Sequence, residues 1–249
     1  MGLISVISTT ISTSPSLAFK SFIIFPTSVN TKGFVYVYKI IGTLFYLISK
    51  KYLKQHSLSL FMRIIDKEEF TLNKERIMKE IEKGAVFIHP TDTIYGLGCN
   101  ALIPEAVKRI RKIKNRSDRP FSVIVPSKEW ILSNTECSKA DWLEKLPGPY
   151  TLVCKLKNKS AVAEETIPDI NSLGMRIPKH WFSKISEKLN IPIVSTSANL
   201  IGGDFMTSLE NLSQEIKSKV DFIIYEGEKS GKPSKVVDLT KEKVDILRP

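Results

Sequence analysis

From Asn73 to the end of the chain, short apolar runs of strand type alternate with segments of helical periodicity, and this alternation limits the chain to an α/β or α+β sheet with helices packed on it. Asn73 is placed to cap a helix whose Ile77, Met78 and Ile81 share a face, and Gly84 stands where a C-terminal cap belongs. The run Ala85 to Ile88 is a strand ended by Pro90, and Pro104 opens a helix with Val107, Ile110 and Lys114 on one side. Arg109, Arg111 and Lys112 fall on its other sides and are expected to form a solvated face. Further strands are predicted at Phe121–Val125, Tyr150–Leu156, Leu173–Ile177, Ile191–Ser195, Phe222–Tyr225, Val236–Leu239 and Val244–Leu247. Trp130 and Trp142 lie in predicted helices, 179–189 reads as another, and Thr207 with Glu210 has the spacing of a capping box for one more.

Charge divides the chain. Against 37 Lys plus Arg stand 26 Asp plus Glu, giving +11, yet residues 1–61 hold six lysines and no acid. Residues 62–249 therefore carry 31 − 26 = +5. The leader has an apolar stretch, 34–48, that is short for a membrane span and contains Lys39. A weak anchor, an organellar transit peptide and a translated upstream segment with the start at Met62 all fit; the start at Met62 fits best, because a coherent domain begins just after it. Residues 62–249 show no repeat and no dividing linker. Cys99, Cys137 and Cys154 match neither a disulfide framework nor a zinc spacing and are expected to be reduced thiols. His56, His89 and His180 lack second ligands at metal spacing, so no metal site is assigned.

Four polar segments leave strands. Pro90 to Gly98 is rich in hydroxyls and then glycine-spaced, and Lys114 to Pro120 places three cations within six residues. Ser195 to Asn199 and Ser230 to Ser234 offer hydroxyls and an amide. Guanidinium forks and an ammonium suit a polyphosphate. None of these residues is a nucleophile with a base beside it and no Walker-type loop occurs, so the set points to binding and charge neutralisation instead of covalent catalysis.

Taken together, these segments resemble the YrdC-like family, the threonylcarbamoyl-AMP synthases of tRNA modification, over nearly all of 65–249. The family's Pro-Thr-x-Thr-x-Tyr-Gly-Leu-Gly stands as Pro90 to Gly98, its Lys-x-Arg as Lys114 and Arg116, and its Pro-Gly-Pro as Pro147 to Pro149. Arg-x-Pro is Arg176 to Pro178, Ser-x-Asn is Ser197 and Asn199, and the endings are Pro233 to Asp238 and Leu247 to Pro249. The resemblance implies a twisted mixed α/β sheet around a large basic cavity, and an enzyme joining L-threonine, bicarbonate and ATP into threonylcarbamoyl-adenylate and pyrophosphate.

By family position, Lys114, Arg116, Ser197 and Asn199 are the catalytic group. Arg116, Arg119, Ser172, Asn199, Thr207 and Arg248 are implied for ATP, and Thr93, Arg176, Ser197 and Ser234 for L-threonine. Magnesium is expected on the triphosphate, and the product is expected to pass to a tRNA threonylcarbamoyltransferase complex in the cytoplasm. The family also implies double-stranded RNA binding. An RNA-binding module without catalysis is the alternative, although +5 is low for strong salt-dependent binding. A hydrogenase-maturation role would need zinc-finger and acylphosphatase modules that this sequence does not contain. The chain departs from many relatives in the shortened Ser117 to Pro120 segment and in the apolar Val123-Ile124.

Overall fold

The computed structural model describes residues 62–116, 118–137 and 139–249; the predicted leader lies outside them. Chain order runs β1 Arg63–Ile65, α1 Lys67–Leu72, α2 Lys74–Glu82, β2 Phe87–His89, β3 Gly96–Gly98, α3 Pro104–Lys114, β4 Ser122–Ile124, α4 Lys128–Asn134, α5 Ala140–Leu143, β5 Tyr150–Lys155 and β6 Ser172–Arg176. After these come α6 Ser183–Leu189, β7 Ile193–Val194, β8 Thr196–Ser197, α7 Gln214–Lys217, β9 Phe222–Ile224, β10 Lys235–Asp238 and β11 Asp245–Arg248. The expected mixed α/β architecture is present, with its strands divided between two mixed sheets. One has the order β1-β9-β2-β3-β8 and the other β11-β10-β5-β6-β4-β7.

The apolar runs bury both faces of their strands, which explains why they show no alternation. Phe87, Phe222 and Ile224 pack under α1, α2 and α6 with Ile77, Ile81 and Phe182. Ile88 and Ile223 face the larger core that fills the rest of the domain. At roughly 25 cal/mol per Å2 of apolar surface, each such side chain stabilises the fold by about 2 kcal/mol.

Three short strands, β1, β3 and β8, were not expected, and the last two bear on the site. β3 pairs antiparallel with β2 and β8, and both are held by register more than by propensity. Between β7 in one sheet and β8 in the other stands Ser195 alone, its amide donating to Ser122 O at 2.8 Å.

Several local expectations need correction. Asn73 makes no side-chain cap for α2; its Nδ2 donates to Glu69 O and closes α1 instead. The capping box of Thr207 and Glu210 does not start a helix. Asn211 bridges there, accepting from the Thr207 and Ser208 amides and donating to Thr207 Oγ1, and α7 begins only at Gln214. Cys137 and Cys154 are joined as a disulfide, leaving Cys99 free and buried. The chain returns after α4 so that Thr135 bridges Leu156 antiparallel, and that register sets 137 opposite 154, a proximity that a separation of 17 residues conceals.

Candidate functional site

The predicted chemistry converges where β3, β4, β6 and β8 approach one another. A cavity of about 200 Å3 there is lined by Arg116, Arg176, Ser197, Ser234 and Arg248, together with Thr91, Tyr95, Gly96, Ser122, Thr151 and Ser195. No carboxylate lines it.

The approach to Arg116 is built by the end of α3. Asn115 takes a left-handed conformation, φ 47°, which stops the helix immediately after Lys114. Lys114 is buried. Its Nζ donates to Ser197 O at 2.8 Å, Asn199 O at 2.5 Å and Asn199 Oδ1 at 3.0 Å, while Ser197 Oγ donates to the same Oδ1 at 2.5 Å. All three ammonium protons are thus committed, and Lys114 fixes the Ser197–Asn199 turn against the helix end. Burial, and then the Arg116 charge, pull its pKa down to about 8.

Arg116 lies over the Phe121 ring, 5.0 Å from its centroid, and donates to Pro120 O at 2.6 Å. Its Nε–H is buried without a partner. Arg111 was expected on a solvated face, and the structure corrects this: it donates to Glu165 O, Arg116 O and Arg119 O and so ties the 116–119 turn to the domain. Arg109, from the same predicted face, grips both oxygens of Asp221 at 2.9 and 3.0 Å.

Arg176 ends β6 in the cavity wall. Its Nη2 lies 2.6 Å from Asp92 Oδ1 and 3.3 Å from Thr93 Oγ1, while its Nε–H, like that of Arg116, is buried and unpartnered. The Thr93 hydroxyl also meets Thr91 Oγ1 at 2.9 Å. On the facing wall, Arg248 donates to Ser234 O at 2.7 Å and to Ser234 Oγ at 3.1 Å, and Ser234 Oγ meets Thr151 Oγ1 at 2.8 Å. Burial lowers the pKa values of Arg116, Arg176 and Arg248 below the usual arginine value.

Six predicted residues are outside this lining: Lys114 and Asn199 bond each other behind Ser197, Thr93 touches Arg176, and three others stand farther apart. Arg119 is exposed. Ser172 shares the Arg176 face of β6 but sits four residues away, about 13 Å along the strand. Thr207 is held by Asn211 in its own loop.

Sequence reasoning passed over His89 and Tyr95. His89 faces Gly96 across the β2–β3 register, and a Cβ on Gly96 would stand 2.7 Å from two atoms of the imidazole. The Gly-x-Gly spacing therefore accommodates a ring, and no phosphate-binding turn is needed to explain it. His89 stacks on Phe182 at 4.6 Å and is fully buried, which holds its pKa down to about 3. Nδ1 donates to Pro90 O at 3.3 Å and Nε2 has no partner. The Tyr95 hydroxyl donates to Gly227 O at 2.6 Å and accepts from Glu226 N at 3.1 Å, joining the cavity to the segment that leads to Ser234. Glu226 in turn accepts from His180, Trp181 and Lys229. Aromatic rings opposite polar turns were the signal available for both.

These features define a mixed α/β domain with an anion-receptive cavity at the meeting of two sheets. The chain belongs to the Sua5/YciO/YrdC family, whose model, described as telomere recombination, matches residues 79–249. It is 33% identical over 192 residues to a putative threonylcarbamoyl-AMP synthase of Methanocaldococcus jannaschii, covering 74% of this chain and 88% of that one. Identity to the threonylcarbamoyl-AMP synthase of Pyrococcus abyssi is 35%, covering 68% of this chain and 51% of the relative. The chain thus spans about half the length of the P. abyssi protein. The crystal structure of P. abyssi Sua5 complexed with L-threonine superposes with a TM-score of 0.68 at 30% identity, over 76% of this chain and 57% of that one. E. coli YciO gives 0.64 at 26%, over 76% and 93%.

No helix among the described residues is long and apolar enough to cross a membrane, and none of their His, Cys, Asp and Glu side chains gather in threes as a metal site would require.

Proposed function

We propose that this chain is a threonylcarbamoyl-AMP synthase, a nucleotidyltransferase that makes threonylcarbamoyl-adenylate for tRNA modification. The observation that carries the reading is the cavity with three arginines, two of them holding buried Nε–H donors without partners, and no carboxylate.

The chemistry needs such a place. The threonine amine adds to bicarbonate and water leaves, giving a carbamate. A carbamate oxygen then attacks the α-phosphorus of ATP, and pyrophosphate departs with the bonding pair. Both reactants are anions, so neutralisation and in-line alignment dominate the barrier. Arg116 is assigned to the triphosphate and Arg176, with Thr93 and Ser234, to threonine; Lys114 positions Ser197 and Asn199. Arg248 and Asn199 complete the nucleotide contacts, and Ser172, Thr207 and Arg119 would be reached only by parts of ATP beyond the cavity. The absence of carboxylates in the lining leaves magnesium to the triphosphate, whose charge it would offset. The product passes to a tRNA threonylcarbamoyltransferase in the cytoplasm, so contact with tRNA is indirect.

Pyrophosphate release by the purified full chain, with ATP, bicarbonate and each amino acid in turn, tests the reading. Threonine-dependent release is expected, falling by orders of magnitude in Arg116→Ala. Absent or threonine-independent turnover would refute it.

A further inference from the structure

Behind the wall that carries Arg176 lies a second cavity of about 520 Å3, lined by Asp92, Thr93, Gly231, Lys232, Pro233 and Lys235 among others. Pro233 borders both cavities. Otherwise they are divided by the Asp92–Arg176 ion pair, 2.6 Å across, and by the Thr93 hydroxyl against the same nitrogen. Asp92 faces the second cavity and Arg176 the first. Gly231 seals this wall, because a Cβ there would stand 2.2 Å from Thr93 O.

Charge and size suggest what the second cavity holds. The Asp92 carboxylate is taken up by Arg176 and by the Lys179 amide, 2.9 Å away. Lys232 and Lys235 are exposed, and their ammonium groups have no hydrogen-bond or ion-pair partner among the described residues. The chamber therefore offers two uncommitted cations. The first cavity, at about 200 Å3, is below the roughly 300–1,000 Å3 usual for ligand sites, so it does not have room for a nucleotide, an amino acid and a third reactant.

In-line displacement decides between the small anions. Attacking and leaving oxygens stand on opposite sides of the α-phosphorus, so with threonine held at Arg176 and Thr93, pyrophosphate departs away from the second cavity. The anion that must arrive on the threonine side is the carbon donor. We propose that the second cavity is the access chamber for bicarbonate, a small monovalent oxyanion gathered by Lys232 and Lys235 and admitted to the threonine amine past the Asp92–Arg176 pair. This rests on the synthase reading of the first cavity.

Two measurements on the full chain test it. In steady-state kinetics with CO2-depleted buffer, the charge reversal Lys232→Glu with Lys235→Glu should raise the bicarbonate KM about tenfold at low ionic strength, leaving kcat and the KM values for ATP and threonine near wild type. An unchanged bicarbonate KM, or an equal rise for ATP, would overturn the proposal, the latter by assigning the lysines to the triphosphate. The second measurement needs no turnover and so separates this inference from the synthase reading. Titrating bicarbonate into 15N-labelled protein should shift the amides of Asp92, Thr93 and Gly231 in wild type and not in the double variant. Shifts confined to the Arg116 and Ser197 side, or none at all, would refute it.

Discussion

Replacing Lys114 with methionine keeps most of the length of the side chain and removes its charge. Three acceptors lose the ammonium, Ser197 O, Asn199 O and Asn199 Oδ1, although Ser197 O keeps the Asn199 amide and Asn199 Oδ1 keeps Ser197 Oγ; hydrogen bonds from a charged group contribute about 1.5–3 kcal/mol each. Against this, the ammonium is costly to bury: its pKa falls from 10.5 to about 8, about 3 kcal/mol of disfavoured charge. The two effects offset in large part, so the variant should unfold only about 2 kcal/mol more easily in a denaturant titration. Turnover should suffer far more. A turn displaced by an ångström moves Ser197 away from the reacting groups, worth about a 100-fold loss.

The pH dependence distinguishes this from simple destabilisation. Between pH 8 and 10.5 the folded protein holds fewer protons at Lys114 than the unfolded chain, so this group makes the fold more stable as pH rises through that window. Activity should fall over the same window, since the neutral amine has one donor too few for three acceptors. Stability and turnover therefore move in opposite directions in wild type, and the Lys114→Met variant should lose its alkaline limb near pH 8. Wild-type turnover in the variant, or an unchanged alkaline limb, would refute the positioning role.

Two further outcomes follow from the packing around His89. Its depressed pKa, about 3, means that folding stability is fully present above the unfolded value near 6.5 and is lost as pH falls toward 3; His89→Phe should remove that acid sensitivity in a pH series of thermal melts. Gly96→Ala drives a methyl to 2.7 Å from the same ring and should cost about 1–3 kcal/mol by overpacking, read as a lower Tm that His89→Ala partly restores.

Much of the site was legible because its residues cluster in short segments with distinct chemistry. Lys114 and Arg116 read as one unit since the helix ends between them, and Ser197 with Asn199 follows a strand that periodicity reveals. What could not be read was set by tertiary pairing. Apart from Leu97, β3 and β8 consist of glycines and hydroxyl residues, which read as loop until the neighbouring strands impose a register. The committed contacts of Lys114 depend on a turn more than 80 residues away. Arg111 has the helical position of a surface cation, and only the return of 165 and the fold of the 116–119 turn make it a support. The Thr207 signature failed because Asn211, in the same loop, competes for the same backbone amides.

The passage from β7 to β8 through Ser195 alone leaves the polypeptide no slack between two sheets. An inserted residue there would have nowhere to bulge without reversing the outlook of every side chain on β8, Ser197 included. Length variation among such domains should therefore accumulate in segments like 200–212, and the Ser195 crossing should be a site where even a single-residue insertion abolishes function while leaving either sheet able to form.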